Sequence, residues 1–217
     1  MVTRTRSLRG TGSFFISLTF CVPSGTLLPM SNRETILARA LDLFTARGYD
    51  AVGVQEVADA AGLKKPTLYH YFGSKGGLLR TLLEEGYAPL FQALAAAADY
   101  QGDVTLTLRA VTAACFDFAR QNPKLYRMGL SLWFAPPESE AFQAVAGINR
   151  RQQELLEILF VRLAGDHGNM RGRQRAYAAT FLGMINTYIS LGLNGAAELN
   201  DERVYAAVHQ FMHGIFS

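Results

Sequence analysis

The stretch that decides the fold is residues 54–75, which read VQEVADAAGLKKPTLYHYFGSK. Apolar residues recur in it at the three- and four-residue spacing of a helix, first over 54–61 and again over 65–72. Gly62 lies between the two patterns, where a tight turn is expected because glycine adopts a positive φ at low cost. The stretch therefore predicts two short helices joined by a glycine turn, which is a helix-turn-helix.

The second of these helices carries polar and aromatic groups that a core does not need. Leu68 and Phe72, four residues apart, are expected to face a small core. The other side chains are expected to point outward: Lys65, Thr67, Tyr69, His70 and Tyr71. Threonine and histidine can reach base edges in the major groove, and tyrosine hydroxyls suit phosphate oxygens. Lys64 and Lys65 at the helix start oppose the helix dipole, a cost that a bound phosphate or guanine would offset.

The charge of the chain is concentrated in two places. The 217 residues carry a formal net charge of +3, and residues 1–29 account for all of it, because Arg4, Arg6 and Arg9 stand there without an acid. Residues 62–80 hold four basic side chains and no Asp or Glu. A local positive patch in an otherwise balanced chain indicates a site for an anion.

Composition and patterning predict a folded, all-helical protein. Hydrophobic residues are 49% of the chain and charged residues 18%, which is enough to build a core. The two cysteines exclude a disulfide scaffold and a CxxC metal cage, and no run approaches the ~18 apolar residues of a membrane span. From Met30 onward, no segment alternates apolar and polar residues over a strand's length. We predict an all-α fold of about nine helices, with a three-helix N-terminal domain and a larger C-terminal bundle.

The chain divides into three predicted regions. Residues 1–29 contain an apolar run but no A-x-A cleavage site, so we interpret them as an extension that is disordered or not translated, with an export signal as the alternative. Residues 30–83 are predicted to be the helix-turn-helix domain, opened by a capping box of Ser31 and Glu34. Residues 84–217 are predicted to bind a ligand and to form a dimer.

Several short segments between Ser31 and Leu83 occur together in one known family. They are Ile36–Ala40–Leu43–Phe44, Arg47–Gly48–Tyr49, Val54–Glu56–Val57–Ala58, Ala61–Gly62, Thr67–Leu68–Tyr69–His70–Tyr71–Phe72, Ser74–Lys75 and Leu78–Leu79. In combination they resemble the DNA-binding domain of the TetR/AcrR family of bacterial transcriptional repressors. The resemblance covers about a quarter of the chain, and the regions beyond it must be interpreted from their own residues.

The resemblance implies a role for each position of the recognition unit. Thr67, Tyr69 and His70 are expected to approach bases or backbone. Tyr71 and Lys75 are expected to hold phosphates, and Lys65 to read a base. The full set of predicted DNA-binding residues is Gly53, Lys64, Lys65, Pro66, Thr67, Tyr69, His70, Tyr71 and Lys75.

The chain departs from the family pattern at three glycines. Gly53 stands where members commonly have a Ser or Thr that caps the second helix and touches a phosphate. Gly76 and Gly77 replace the usual acidic residue after Lys75. Two glycines in a first helical turn cost about 1 kcal/mol each relative to alanine, so we expect a looser junction between this domain and the rest.

The helix predicted over 172–193 is apolar on two faces, and the helix predicted over 201–216 adds further apolar residues. We predict that they pair with their copies in a homodimer, which would match a palindromic operator. The predicted interface residues are Leu182, Ile185, Ile189, Leu193, Val204, Val208, Phe211 and Ile215.

A second group of residues is predicted to line a cavity for a small hydrophobic ligand, because aromatic residues and methionine line adaptable pockets. Ordinary core packing is the alternative for each aromatic residue. The predicted ligand-binding residues are Phe91, Arg109, Phe116, Tyr126, Met128, Trp133, Phe134, Phe142 and Asn186.

These features predict a cytoplasmic, homodimeric DNA-binding transcriptional regulator, a repressor that a ligand releases from its operator. We expect no enzyme, because no Walker loop, GxSxG or nucleophile–base pair occurs. His209 and His213 lack a third ligand, so neither a metal nor another cofactor is expected. The alternatives are an all-helical small-molecule-binding protein, an adaptor with a vestigial helix-turn-helix, and a transcriptional activator.

Overall fold

The computed structural model describes residues 30–214, except for the side chain of Asn169. The predictions for residues 1–29 and for Ile215 lie outside this range. The described residues form nine α-helices and one short 3₁₀ helix, without a strand, so the predicted all-α fold is confirmed for them. The α-helices are α1 (Asn32–Arg47), α2 (Val54–Ala60), α3 (Lys65–Phe72), α4 (Lys75–Ala97), α5 (Val104–Gln121), α6 (Pro123–Trp133), α7 (Glu140–Asp166), α8 (Gln174–Leu193) and α9 (Asp201–His213).

Local signals fix the ends of the first helices. The Ser31 hydroxyl accepts a hydrogen bond from the Glu34 amide at 3.2 Å, and the Ser31 amide donates to the Glu34 carboxylate at 2.9 Å, which is the predicted capping box. Gly48 ends α1 with a φ of 83°, and Gly62 joins α2 to α3 with a φ of 68°. These are conformations that other residues rarely adopt. Local sequence signals therefore determine where these helices begin and end and where the chain turns between α2 and α3.

Helices α1 to α3 and the first turn of α4 form a small unit that we call the head. Its core contains Ile36, Ala40 and Phe44 from α1 and Leu68 and Phe72 from α3, all buried. The two α3 residues are thus oriented inward as predicted. Because α3 is only two turns long, this packing holds the rest of its surface in a fixed orientation.

The remainder of α4 and α5 to α9 form the body. Helix α4 runs from the head into the body and packs against α5 and α7, while α8 packs against α7, and α9 against α5. The head meets the body where α1 packs against α6 and where α4 crosses between the two. The division of the chain at residues 83 and 84 remains a prediction, because α4 is continuous across it.

Hydropathy adds one finding on the described helices. Within residues 30–214, none of them combines the length and the apolar character needed to cross a bilayer.

Candidate nucleic-acid interface and ligand cavity

The outward surface of α3 consists of basic and aromatic side chains. Lys64, Lys65 and Pro66 at its start are exposed, as is His70, while Thr67 is half-buried. Tyr69 and Tyr71 are each 41% exposed, although large aromatic side chains are more often buried. The structure therefore brings the predicted DNA-binding residues of α3 together on one accessible surface.

The start of α3 is suited to an anion. Lys64 occupies the N-cap position, and its side chain makes no capping hydrogen bond. The first amides of a helix point out of its N-terminus and carry partial positive charge. Lys64 and Lys65 add two full positive charges at the same place, and the Lys65 ammonium lies 5.7 Å from the Tyr69 ring centroid. A phosphate placed there would offset the repulsion among these groups.

Helix α2 is capped without the hydroxyl that the family usually provides. The Gly53 amide donates to the Glu56 carboxylate at 3.1 Å, and Arg47 forms an ion pair with the same carboxylate. Both contacts, the amide first, lower the pKa of Glu56. Gly53 is exposed at the start of α2, but its amide is already paired with Glu56, so its contact with DNA stays a prediction.

Lys75 opens α4 beside the helix-turn-helix and is half-buried. Its ammonium lies 4.0 Å from the centroid of the Tyr49 ring, a cation–π contact. Partial burial lowers the pKa of Lys75, and the neighbouring carboxylates of Asp50, Glu140 and Glu56 oppose that shift. The lysine predicted to hold a phosphate is thus held in place by contacts on its inner side.

The body contains a cavity of about 360 Å³ between α4, α6, α7 and α8. This volume lies within the range of small-molecule sites. Much of the lining is aromatic, and Trp133 and Phe142 stack on one wall with ring centroids 5.4 Å apart. The lining residues are Tyr87, Tyr126, Gly129, Leu130, Trp133, Phe142, Ala146, Asn149, Arg150, Gln152, Gln153, Leu182 and Asn186.

Polar groups converge on this cavity. The Tyr126 hydroxyl donates to the Asn186 side-chain oxygen at 2.7 Å, and burial raises the pKa of Tyr126 well above its usual value. The side-chain amide nitrogens of Asn149 and Gln152 are buried, and neither has a hydrogen-bond partner among the described residues. Unpaired buried donors are costly, so these two groups are donors that a ligand oxygen could satisfy.

The structure separates the predicted ligand residues into two groups. Tyr126, Trp133, Phe142 and Asn186 line the cavity. The others do not. Phe91, Phe116 and Met128 are buried in the core, Arg109 is exposed against the ring of Tyr205, and Phe134 is 83% exposed beyond the end of α6. For the three core residues, the alternative of ordinary core packing is the better description.

Sequence reasoning predicted Asn186 but missed the two unpaired amides, Asn149 and Gln152, although one of them was detectable. Gln152 lies within the apolar stripe of α7, between Ile148 and Leu156, and it is buried. A polar residue inside a buried stripe indicates either a paired structural group or a binding site. Asn149 gives no such pattern, because it is only half-buried at the edge of the apolar stripe of α7.

A second concavity lies between the head and the body. It is a groove of about 680 Å³ along α1, α4 and the start of α6. Leu37, Leu41 and Leu82 line it, together with the ion pair of Arg33 and Glu85. None of the predicted ligand-binding residues lies in this groove. We favour the smaller cavity as the ligand site, because it combines aromatic walls with converging unpaired donors.

The predicted dimer residues are mostly inside the protomer. Ile185 and Ile189 of α8 and Val204 and Val208 of α9 are buried in the core, so they cannot contact a second copy. Phe211 packs on Phe181 within the core, and Leu193 is half-buried at the end of α8. Leu182 lines the cavity. The apolar stripes of α8 and α9 that were attributed to a partner are covered by α5 and α7 instead.

Other apolar and small residues of α7 and α8 are exposed. Ile158 is 58% exposed and Val161 59% exposed on α7. On α8, the exposed positions include Ala179 and Gly183, and a Cβ added at Gly183 would meet no atom within 4 Å. A glycine in a helix interior without a neighbour is unfavourable by about 1 kcal/mol, so nothing within the protomer accounts for it.

Two histidines of α9 lie apart from both sites. The rings of His209 and His213 are exposed, with centroids 4.6 Å apart. Throughout the described part of the chain, no cluster of three or more His, Cys, Asp or Glu side chains could hold a metal ion.

Comparison with known proteins agrees with this geometry. The profile of the family described as bacterial regulatory proteins, tetR family, matches residues 36–82. The transcriptional activator FasR of Mycolicibacterium smegmatis is 28% identical over 191 residues, which are 88% of this chain and 85% of FasR. The TetR-family regulator PfmR of Thermus thermophilus has a TM-score of 0.67 and 25% identity, covering 87% of this chain and 100% of PfmR.

Solved neighbours include proteins determined with a bound ligand. FadR of Bacillus subtilis, determined in complex with stearoyl-CoA, has a TM-score of 0.71 and 18% identity, covering 84% of this chain and 98% of FadR. At this identity the similarity is one of fold.

A helix-turn-helix with an exposed, basic second helix, joined to an all-helical body with a cavity, defines a DNA-binding transcriptional regulator. Residues 36–82 match the model of the tetR family of bacterial regulatory proteins, and the chain as a whole is similar to regulators of that family.

Proposed function

We propose that this protein is a homodimeric regulator that binds a palindromic operator through α3 and leaves it when a fatty acyl-CoA-like ligand enters the cavity. The observation that carries the proposal is the exposed surface of α3, with its two lysines, two tyrosines and histidine held outward by the buried Leu68 and Phe72. The match of residues 36–82 to the tetR family model and the similarity of the chain to FasR support it.

The DNA contacts divide into two kinds. Lys65, Thr67 and His70 read base edges, because their groups project from the exposed side of α3. Phosphate contacts position α3 in the groove and carry no sequence information. We assign them to Lys64, Tyr69, Tyr71 and Lys75. Pro66 has no N–H to donate, and the Gly53 amide is already paired with Glu56, so these two residues contribute by proximity only.

The dimer forms through the exposed apolar surface of α7 and α8 that contains Ile158, Val161, Ala179 and Gly183. Ile158 and Val161 would lose their exposed apolar area on association, and the small residues Ala179 and Gly183 permit close approach of two helices. A two-fold dimer presents two α3 helices to two half-sites about one helical turn apart.

The cavity suits an apolar chain that ends in a carbonyl or thioester. Aromatic walls would cover the chain, and the unpaired amides of Asn149 and Gln152 would donate to the carbonyl oxygen. Arg150 lies at the exposed rim and would face an anionic head group. The stearoyl-CoA bound to the fold neighbour from Bacillus subtilis belongs to this chemical class.

The regulator acts in the cytoplasm and has no catalytic role in this proposal. A protein that a ligand releases from its operator is a repressor, and this is the role that we propose. The activator alternative has support of its own, since the relative from Mycolicibacterium smegmatis that aligns over 85% of its length is named an activator. Transcription from a promoter that carries the operator, measured with and without the protein, separates the two.

The experiment that tests the DNA-binding part is selection from a random pool of duplexes by the full chain, followed by a salt titration of the recovered sequence. The proposal expects a palindromic footprint and an affinity that falls steeply as salt rises. Recovery of no preferred sequence, together with binding that does not depend on salt, would favour the small-molecule-binding or adaptor alternatives.

A further inference from the structure

The first turn of α7 contacts both the cavity and the head. Its N-cap, Ser139, accepts a hydrogen bond from the Phe142 amide at 3.1 Å. Phe142 forms the cavity wall by stacking on Trp133. Glu140, in the same turn, reaches in another direction and accepts a hydrogen bond from the hydroxyl of Tyr49, which lies just after α1 in the head. A single helical turn therefore connects the ligand site to the DNA-binding unit.

Gly76 makes room for this contact. A Cβ at Gly76 would lie 1.8 Å from Oε1 of Glu140 and 2.2 Å from its Cδ. Gly76 is buried, and its φ is not in the left-handed region, so backbone conformation does not demand a glycine. The missing side chain is explained by the carboxylate that occupies its place. The looser junction expected from the two glycines is thus replaced by a close contact.

The same contact reaches Lys75. Tyr49 donates to Glu140 with its hydroxyl and supports the Lys75 ammonium with its ring, 4.0 Å from the centroid. Burial raises the pKa of Tyr49, as does its hydrogen bond to Glu140, so the hydroxyl stays protonated and remains a donor. Movement of Glu140 would therefore change the support of a lysine that we assign to a phosphate.

We propose that Glu140 is a positioning residue that transmits the state of the cavity to Lys75 through Tyr49, with Gly76 providing the space. This inference rests on the proposed function and goes beyond it by assigning the route of coupling. A ligand that separates or tilts Trp133 and Phe142 moves the first turn of α7, and Glu140 with it. Because coupling between two sites is reciprocal, DNA bound to the head must change the affinity of the cavity for its ligand. On the proposed route it does so by moving the first turn of α7, which alters the environment of Trp133.

The chain provides a reporter for this test. Trp133 is its one tryptophan, so intrinsic tryptophan emission reports on the stack with Phe142 and needs no ligand. The full chain is titrated with the selected duplex, or with a random-sequence duplex at low salt if selection recovers none. Fluorescence anisotropy of the labelled duplex measures binding in parallel with the Trp133 emission.

Three variants break the route at different atoms. Glu140→Ala removes the carboxylate, Tyr49→Phe removes the donor but keeps the ring, and Gly76→Ala displaces the Glu140 side chain without a change in charge. Glu138→Ala is the matched control, because it removes an exposed carboxylate two residues before Glu140, just outside α7. The three variants are expected to bind the duplex but to lose the change in Trp133 emission, which the wild type and the control retain.

Two results would overturn the inference while the proposed function stands. One is a wild type that binds the duplex with unchanged Trp133 emission. The other is an emission change of wild-type size in Glu140→Ala and Gly76→Ala. A wild type that binds neither duplex at low salt would overturn the proposed function, and this inference with it.

Discussion

At the residue scale, the glycines show which structural roles the local sequence can predict and which it cannot. Gly62 is required by its positive φ, which sequence reasoning predicted from its position between two helices. Gly76 and Gly77 look alike in sequence but have different reasons. A Cβ at Gly76 would meet the end of a flexible side chain, whereas one at Gly77 would lie 2.0 Å from the Phe72 carbonyl oxygen of the backbone. The sequence predicts that each glycine lowers the stability of the helix. It cannot show which atoms lie beside each glycine in the folded protein.

The two glycines should therefore respond differently to alanine. Gly77→Ala is expected to lower the free energy of unfolding by about 1–3 kcal/mol, because the backbone of the α3–α4 turn must shift. Gly76→Ala is expected to be neutral or to stabilise by up to about 1 kcal/mol, because the Glu140 side chain can rotate away and alanine favours a helix. Chemical denaturation followed by circular dichroism measures both. Equal effects of the two substitutions would contradict the packing given for them.

Lys75 and Thr67 should separate affinity from sequence preference. Lys75→Ala is expected to weaken binding to every duplex and to reduce the slope of log affinity against log salt by about 1, because one phosphate contact is lost. Thr67→Ala is expected to keep the salt slope and to change the preferred base at one position of each half-site. Binding of a panel of single-base operator variants at several salt concentrations distinguishes the two. A Lys75→Ala variant with an unchanged slope would remove Lys75 from the phosphate contacts.

At the element scale, apolar periodicity predicted the helices but not which helices pack against each other. The predicted helices all occur in the described part of the chain, because capping residues, glycines and prolines mark their ends. Helix α8 has two apolar stripes, and periodicity alone cannot say which neighbour covers each one. In the structure, Phe181, Ile185 and Ile189 are buried inside the protomer, and Ala179 and Gly183 are exposed on its surface. The prediction that the aromatic residues line the cavity was correct only in part for the same reason, because a core and a cavity wall contain the same residue types.

The corrected dimer surface leads to a prediction about α7. The wild type is expected to have a mass in solution near twice the 23.8 kDa of one chain. Val161→Arg places a charge in the proposed interface and should shift the mass toward one chain and weaken operator binding, because the two α3 helices are no longer linked. Analytical ultracentrifugation measures the mass.

Leu106→Arg is the matched control for that substitution. Leu106 is 64% exposed on α5, away from the proposed interface, and its replacement should leave the dimer intact. A Val161→Arg variant that remains a dimer would exclude this surface as the interface.

At the scale of the whole molecule, the head and the body have different relations to the sequence. The head was predicted in detail, because its function requires particular residues at fixed spacing within one short segment. The cavity was predicted only in part, because it is assembled from α4, α6, α7 and α8, and its unpaired amides become visible only when those helices are packed. The contact between Glu140 and Gly76 joins residues far apart in the chain, and no local sequence pattern predicts it.

The cavity itself can be tested by filling it. Ala146→Phe adds an aromatic ring to the cavity lining, so it should prevent a ligand from acting while leaving DNA affinity unchanged. Ala146→Gly, which enlarges the same space, is the control and should preserve the ligand response. Loss of DNA binding in Ala146→Phe alone would indicate damage to the fold rather than occupation of a ligand site.

The most direct test of ligand-controlled DNA binding is a titration of the protein–operator complex with stearoyl-CoA, with free coenzyme A and stearate as separate arms, followed by anisotropy of the labelled duplex. We predict that stearoyl-CoA weakens DNA binding by about tenfold, a typical size for coupling between two sites, and that coenzyme A alone does not. Ala146→Phe should abolish the response to stearoyl-CoA. Operator binding that is indifferent to stearoyl-CoA in the wild type, or a response of equal size in Ala146→Phe, would contradict the account of this cavity as the site that controls the head.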